Sequence, residues 1–287
     1  MKDNRQTSDK ELIEKSLKGS KKHLEILIER YNDYILNIAY KMLWNIEDAK
    51  DITQEILISM VTKLDSFRFN STFKTWLYRI AVNHILNYRK SNGRNKEFSF
   101  EQYGTNLDNT PDYLLKQHEY QIDNEMLYEE VKQTCMSGML MCLDNQFRMV
   151  FIIGELLGFN DKIGSEILEI SPENFRMILS RAKKQLYQFM NDKCGLVNKK
   201  NPCRCAKKTK SFVEAGYVHP KNLLFYPKYK TFVEEIALEK QEEMEGYFYA
   251  KYRDLYQKHT FLSNKELAKE LHKILTSKEV KSLFNLN

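Results

Sequence analysis

The chain has 287 residues, of which 42% are hydrophobic and 29% charged, with a formal net charge of +6. This composition is typical of a folded globular protein with one large or two ordinary domains, and it excludes an intrinsically disordered chain. No apolar run approaches the roughly 18 residues that span a bilayer. The first residues also lack the apolar core of a signal peptide, so we expect a cytoplasmic protein with no membrane segment.

Helical periodicity dominates from the N-terminus onward. The ten glycines and five prolines are few for a sandwich or a doubly wound sheet, which need many turns. Apolar residues recur at steps of three and four over 20–44, and further helices are predicted over 48–64 and 71–90. We therefore predict an all-α protein whose first helical module covers residues 1–90.

The rest of the chain divides into three parts. Residues 91–122 are polar and rich in turn residues, which predicts a linker. Helical periodicity returns in 123–192 and predicts a second module. Residues 193–287 form a C-terminal extension that begins with a Cys-rich loop and continues in two predicted helices, 230–258 and 264–284.

An acidic patch opens the helix predicted over 48–64. Asp48, Asp51 and Glu55 are spaced three and four residues apart, so they share one helix face. Like charges on one face cost stability, which favours a basic binding partner. A merely solvated acidic face is the alternative that this spacing leaves open.

Aromatic and cationic residues interleave over 67–90. Rings stack on exposed bases while cations hold phosphates, so the pattern is typical of binding to single-stranded or melted nucleic acid. The alternative is that the apolar members at helical spacing form a core: Phe73, Trp76, Leu77 and Ile80. Both interpretations can hold for different residues.

These two motifs in this order, D-A-x-D-x-T-Q-E at 48–55 and F-x-T-W-L-Y-R-I-A-x-N at 73–83, resemble region 2 of the sigma-70 family, specifically its extracytoplasmic-function (ECF) sigma factors. The resemblance covers residues 24–90. It implies a non-enzymatic bacterial protein that binds core RNA polymerase through the β′ and β subunits, directs it to promoter DNA and opens the −10 element. The implied core-polymerase contacts are Asp48, Asp51, Gln54 and Glu55. The implied −10 contacts are Phe67, Arg68, Asn70, Phe73, Thr75, Trp76, Arg79 and Asn83.

The second module is then expected to be region 4, a helix-turn-helix that reads the −35 duplex. Ser171 is a good N-cap and Pro172 a good first residue for its recognition helix. Helical periodicity places one set of residues outward, and these are the predicted −35 contacts: Glu173, Asn174, Arg176, Met177, Ser180, Arg181 and Lys184. The first helix departs from the family's Glu-Ile-Ala, with Lys162-Ile163-Gly164 in its place.

The charge distribution and Met177 together suggest how this helix binds DNA. Residues 171–210 hold eleven Lys or Arg against two acidic residues, a net charge of +9, which is typical of a nucleic-acid contact or of a solvated basic face. Met177 lies in the middle of the outward face and cannot hydrogen-bond base edges. We therefore hypothesise weak base readout, with phosphate contacts from the basic block dominating.

Three cysteines fall within a short segment, Cys194, Cys203 and Cys205. A structural zinc site needs four ligands, and His219 is the nearest residue that could complete a set with these three. Two alternatives remain open: a redox-sensitive Cys pair, whose thiol pKa the flanking cations would lower, and an unligated loop. The expected function requires no cofactor, and a structural zinc is the one metal that the cysteines suggest.

The extension 206–287 is rich in Tyr and Phe, which favours a protein-binding role, for an anti-sigma factor or another recruiting protein. No catalytic motif is present, so we expect no enzymatic activity. Two further functions remain open. A separate targeting partner could recruit the sigma factor to DNA through the extension, or the chain could be a helix-turn-helix regulator that acts without polymerase.

Overall fold

The computed structural model of the protein describes residues 7–91, 98–117 and 119–225. Within these ranges the regular structure is helical apart from one isolated β-bridge, so the all-α prediction is confirmed. The helices are α1 (Asp9–Leu17), α2 (Lys21–Leu43), α3 (Ile46–Thr62), α4 (Phe73–Ser91), α5 (Phe100–Asn109), α6 (Asn124–Leu140), α7 (Asn145–Phe151), α8 (Asp161–Leu168), α9 (Pro172–Lys193) and α10 (Cys205–Glu214). A 3-10 turn lies at Leu64–Ser66 and a π-helical turn at Ile152–Leu156.

The described residues fall into two compact units. The first contains 7–91 together with the short stretch 165–170, and the second contains 98–164, except residue 118, and 171–225. No helix described in either unit combines the length and apolarity that crossing a bilayer requires.

Helices α1 to α4 enclose the core of the first unit. Helix α2 packs against α1 and α3, and α3 packs against α4. Apolar side chains at helical spacing, such as Ile56 and Leu77, have no exposed surface. The side chain of Asn45 caps α3 by accepting hydrogen bonds from the backbone N–H groups of Glu47 and Asp48, at 3.0 and 3.2 Å. This cap holds the acidic residues in the first turn, where the helix dipole stabilises them.

The segment predicted to be a linker, 91–122, contains helix α5. Ser99 and Gln102 form a capping box, in which each side chain accepts a hydrogen bond of 3.0 Å from the other's backbone N–H. Tyr103 packs on α6 and donates its hydroxyl to the carbonyl of Cys135 at 3.0 Å. The segment predicted to be a linker thus contains a helix that its turn residues did not predict.

A buried arginine joins α6 to α7. Arg148 has no exposed surface and donates to the carbonyls of Leu140, Met141 and Leu143 at 2.9, 3.1 and 2.8 Å. These acceptors lie at and just beyond the C-terminal end of α6, where backbone carbonyls lack partners within the helix. The guanidinium thus takes the place of a C-terminal cap inside the core.

Helix α9 begins where the sequence predicts. Ser171 accepts a hydrogen bond from the N–H of Asn174 at 3.2 Å, and Pro172 occupies the first helical position. A Cβ atom at position 164 of α8 would overlap the ring of Phe175. The glycine that replaces the family's alanine at position 164 therefore makes room for this ring.

Glu130 of α6 holds the end of the described chain. Its carboxylate accepts hydrogen bonds from the backbone N–H groups of Leu224 and Phe225 at 2.7 and 2.9 Å. Burial raises the pKa of Glu130 to about 7, while these two hydrogen bonds act in the opposite direction. The helices predicted over 230–258 and 264–284 lie outside the described residues.

Candidate nucleic-acid interface

Helix α3 carries the acidic face. Asp51 and Glu55 are exposed and Asp48 is half-buried, on the side opposite the buried Ala49 and Ile56. Among the described residues these three carboxylates form no ion pair, whereas Glu47 pairs with Lys50 at 3.1 Å. Gln54 lies beside them and is half-buried. The arrangement can bind a cationic surface without first breaking an internal pair.

Three of the predicted −10 contacts lie inside the protein. Phe67 and Phe73 are 6% and 3% exposed, and their ring centroids are 5.5 Å apart in an aromatic cluster with Trp76. Thr75 is 2% exposed, and its hydroxyl is hydrogen-bonded to that of Thr72 at 2.8 Å. Direct base contact by Phe67, Phe73 and Thr75 is therefore a wrong prediction, because α4 turns Phe73 and Thr75 toward the core and Phe67 packs on Phe73 from the preceding loop.

The loop between the 3-10 turn and α4 presents a different aromatic residue. Phe69 is 46% exposed, between the exposed Arg68 and Asn70, and its ring centroid lies 4.7 Å from that of Phe67. Its φ of 57° is in the left-handed region, which costs an L-residue roughly 1–2 kcal/mol. Phe69 is not among the residues predicted from the motif, although its place between two polar loop residues could have identified it.

The remaining predicted −10 residues lie on α4. Asn83 is exposed and Trp76 half-buried. Arg79 donates to Glu166 at 3.0 Å and lies 3.8 Å from Glu169, within the first unit. A phosphate contact by Arg79 would therefore have to replace an ion pair.

A cleft of about 510 Å³ lies between α3 and α4. The side-chain amides of Asn83 and Asn87 and the ring of His84 line it, together with Glu55 of the acidic face. Burial lowers the pKa of His84, and the nearby Lys63 lowers it further, so the imidazole is neutral near pH 7. The cleft thus offers neutral donors and acceptors next to the exposed Asn83.

On α9 the predicted outward face is solvent-accessible. Met177 lies at the centre of this face and is 43% exposed. Phe175 and Ile178 lie on the opposite side of α9 and are buried. Arg176 is engaged by Asp161 and by Glu173, the latter at 3.2 Å. The other exposed members of the predicted −35 set are Glu173, Ser180, Arg181 and Lys184, and Asn174 is half-buried. Their contacts with DNA stay a prediction.

The basic block 171–210 is largely neutralised by acidic residues from other parts of the chain. Lys183 pairs with the buried Glu155 at 3.1 Å, Lys193 pairs with Asp108, and Lys210 pairs with Glu119 at 2.9 Å. Lys207 and Lys208 pair with Asp112. In the described part of the chain, the cations of this block that form neither an ion pair nor a carbonyl contact are Arg181, Lys184, Lys199 and Lys200.

The structure does not bring His219 to the three cysteines. Cys194 and Cys203 lie side by side in a β-bridge, and Cys205 begins α10. His219 instead lines a groove of about 410 Å³ with residues such as Tyr120 and Pro220. The ligand set Cys194, Cys203, Cys205 and His219 is therefore a wrong prediction, because Cys205 begins α10 and His219 lies beyond the opposite end of this helix.

The redox alternative assumed that the flanking cations lower the pKa of the thiols, and the thiol pKa values contradict this assumption. Burial raises the pKa of Cys203, and burial together with the Cys194 thiol raises that of Cys205 to about 12. The neighbouring Lys208 and Arg204 lower the pKa of Cys203, but burial outweighs them. Activated thiolates are thus absent at these two positions.

Comparisons with known proteins agree with the motifs of the first unit. The family described as Sigma-70 region 2 matches residues 27–95. RNA polymerase sigma-H factor of Pseudomonas aeruginosa is 35% identical over 89 residues, which are 31% of this chain and 46% of that protein. The match thus spans about half the length of that relative.

Two further relatives extend the comparison. ECF RNA polymerase sigma-E factor of Escherichia coli K12 is 29% identical over 181 residues, 63% of this chain and 93% of that protein. The solved structure of the sigma factor RpoE in complex with the anti-sigma factor NepR, from Bartonella quintana, is 17% identical and covers 57% of this chain and 94% of that chain, with a TM-score of 0.41. The paired motifs of α3 and α4 thus lie in a segment that matches Sigma-70 region 2, and the chain is similar over 63% of its length to an ECF sigma factor.

Proposed function

We propose that this protein is an ECF sigma factor in transcription initiation: it binds core RNA polymerase, directs it to promoters and helps to open the −10 element. The observation that carries the proposal is the succession of an unpaired acidic face on α3 and an exposed Arg68–Phe69–Asn70 loop before α4. Both lie inside the region 2 match. The protein acts by binding, and the polymerase performs the chemistry.

The acidic face of α3 is the proposed contact with the polymerase β′ subunit. Asp51 and Glu55 are exposed and form no ion pair in the described residues. Gln54 and Asp48 extend the same face with an amide and a third carboxylate. A cationic partner surface would relieve the repulsion among these carboxylates, which gives the contact both affinity and a salt-dependent association rate.

The loop before α4 is the proposed reader of the unpaired −10 strand. Phe69 supplies an exposed ring for stacking, Arg68 a cation for phosphate, and Asn70 an amide for base edges. Asn83 and the adjoining cleft extend this polar surface along α4. The buried Phe67 and Phe73 support the loop from below and do not touch DNA.

Helix α9 is the proposed contact with the −35 duplex. Arg181 and Lys184 form no ion pair with any described residue and can bind phosphates, while Arg176 is already paired and Met177 cannot hydrogen-bond base edges. This favours a duplex contact that positions the protein more than it reads sequence.

A run-off transcription assay with core polymerase tests the proposal. The wild-type chain is expected to give defined transcripts from promoters mapped by its binding sites in cells. The D51K/E55K variant reverses two exposed charges and should lose polymerase binding in a pull-down. The D65K variant is the control, since Asp65 is exposed but lies outside the acidic face. Failure of the wild-type chain to bind core polymerase would leave the polymerase-independent regulator as the better account.

A second function has one specific observation in its favour. An exposed Met177 and an occupied Arg176 leave α9 with few groups for reading bases. A sigma factor with weak readout would need a separate targeting partner, and the extension is where such a partner, or an anti-sigma factor, would bind. A chain truncated after Phe225 retains all described residues and lacks 226–287, and circular dichroism shows whether it keeps its helices. Unchanged promoter selection in cells by the truncated protein would count against recruitment through this segment.

A further inference from the structure

Four of the five cysteines meet at one place in the second unit. Cys194 and Cys203 are neighbours in the β-bridge, and Cys205 starts α10 two residues later. Cys135 lies on α6, which packs against α10. Its thiol interacts electrostatically with the other three, with Cys205 most strongly. Cys135 is far from the Cys-rich loop in the sequence, so only the fold reveals this cluster.

The loop that carries Cys194 and Cys203 is held firmly. A Cβ atom at Gly195 would overlap the carbonyl of Cys203 and the guanidinium of Arg204, so only glycine fits there. Arg204 donates to the carbonyls of Cys203 and Lys199 at 2.8 and 3.0 Å. Asn201 donates to the carbonyl of Asn191 at 2.8 Å, which ties the loop to the end of α9. The cysteines are thus presented by a folded element.

We propose that Cys135, Cys194, Cys203 and Cys205 form a four-thiolate site for a thiophilic divalent cation of the Zn²⁺ type. Four thiolates in tetrahedral arrangement are a common ligand set of structural zinc. Cys135 takes the place that sequence analysis gave to His219. On binding, each thiol gives up its proton to solvent and its sulfur donates an electron pair to the metal.

The surroundings suit such a site. Four thiolates and one divalent cation carry a net charge of about −2. The cations near the cluster are Arg204, Lys208 and Lys132, of which Lys208 pairs with Asp112 and Lys132 with Glu129. The hydroxyl of Tyr103 donates to the sulfur of Cys135 at 3.7 Å. Hydrogen bonds from such neighbouring groups orient metal ligands and stabilise their charged form.

Binding requires a local adjustment. As the side chains stand, no three His, Cys, Asp or Glu residues in the described ranges are arranged to hold a metal ion. The thiols have to turn about the Cα–Cβ bond into other staggered rotamers, since the backbone already places their four Cα positions on adjoining elements. We therefore expect the metal to order the junction of α6, α9 and α10 as it binds.

Metal analysis of the full-length protein, purified under reducing conditions, tests the proposal. The wild-type chain is expected to hold about one zinc per chain. The Cys135→Ser and Cys205→Ser variants should each bind zinc at least about tenfold more weakly in competition with a chelator. Cys142→Ser is the matched control, since Cys142 is buried elsewhere and its thiol donates to the carbonyl of Ser99 at 3.7 Å. His219→Ala should also leave zinc binding unchanged.

Substitution of zinc by Co²⁺ in the wild-type chain keeps the test independent of variant folding. A tetrahedral thiolate spectrum supports the site, and circular dichroism shows whether Cys135→Ser retains its helices. Three results would overturn the proposal: less than about 0.2 zinc per chain, full affinity in a folded Cys135→Ser variant, or a cobalt spectrum without thiolate ligands. A Cys194–Cys203 disulfide in place of the metal, detected by mass spectrometry, would also overturn it.

Discussion

At position 69 a phenylalanine adopts a backbone conformation that L-residues avoid, and it exposes nearly half of its side chain. Strain of this kind persists where the surrounding structure enforces it, and it is concentrated at functional loops. Two residues earlier in the chain, Phe67 is buried and supports the loop. Adjacent aromatic residues of one motif thus have different roles, and only their burial distinguishes them.

Replacement of Phe69 by glycine should separate folding from function. Glycine adopts positive φ without strain, which offsets the lost contact with Phe67, so we expect the free energy of unfolding to change by less than about 1 kcal/mol. Loss of one base-stacking ring should weaken binding of the polymerase complex to promoter DNA with an unpaired −10 region by roughly 1–3 kcal/mol.

Phe67→Ala is the contrasting variant. It removes a buried ring and should lower the free energy of unfolding by about 3–5 kcal/mol. Urea denaturation measures stability and fluorescence anisotropy measures DNA binding for both variants. Normal DNA binding by Phe69→Gly would show that this ring does not contact the bases.

Glu130 should make stability depend on pH. Its pKa rises to about 7 in the folded protein, so this group's contribution is fully present below its unfolded pKa, near 4.3. The contribution is lost as the pH rises through about 7, at about 1.4 kcal/mol per pH unit. Glu130→Gln cannot ionise and should lack this part of the pH dependence. Urea denaturation at pH 5 and pH 8 checks it, and an equal change for the two proteins would contradict it.

At the scale of elements, the contact between α8 and α9 depends on the absence of a side chain. A methyl group at position 164 would meet the ring of Phe175, which is 1% exposed and cannot move outward. Gly164→Ala should therefore destabilise the protein by about 1–3 kcal/mol, in spite of the better helix propensity of alanine.

A double-mutant cycle tests the reason for this destabilisation. Phe175→Leu shortens the side chain that a methyl group at position 164 would meet, so Gly164→Ala should cost less in that background. A coupling energy above about 0.5 kcal/mol, measured by urea denaturation, is expected for two residues in contact. Simple additivity of the two changes would mean that the clash is relieved in some other way.

For the whole molecule, the charge available to DNA is smaller than the charge written in the sequence. Residues 171–210 have a net charge of +9, but acidic residues at 108, 112, 119 and 155 pair with lysines of the block. Within the part of the chain that the structure describes, four cations of the block are left to bind phosphates: Arg181, Lys184, Lys199 and Lys200. The hypothesis that phosphate contacts from the whole block dominate DNA binding therefore applies to these four cations only.

The salt dependence of duplex binding should reveal which lysines contact phosphates. Each phosphate contact contributes about −0.9 to the slope of log K against log salt concentration. Lys184→Gln should therefore make the slope shallower by about one. Lys193→Gln, which removes a lysine already paired with Asp108, should leave it unchanged. Equal effects of the two variants would indicate that the pair with Asp108 opens on binding.

The sequence alone predicted much of the fold and the family. The all-α class, the start of α9 at Pro172 and the acidic face of α3 all follow from spacing within one helix. Helical periodicity and caps are local, so neighbouring residues are sufficient to specify them. The paired motifs at 48–55 and 73–83 are also local in the sequence, and their resemblance to region 2 implied the family.

Burial, ion pairing and the positions of the cysteines depend on residues that are far apart in the chain, so only the tertiary structure decided them. It buried Phe67 and exposed Phe69, it paired Lys193 with Asp108, and it placed Cys135 beside Cys205. Burial and charge pairing are set by whichever residues the fold brings together, and no spacing rule reports contacts across such distances in sequence. The composition therefore showed how much charge the chain carries, while only the fold showed how much of it remains for DNA.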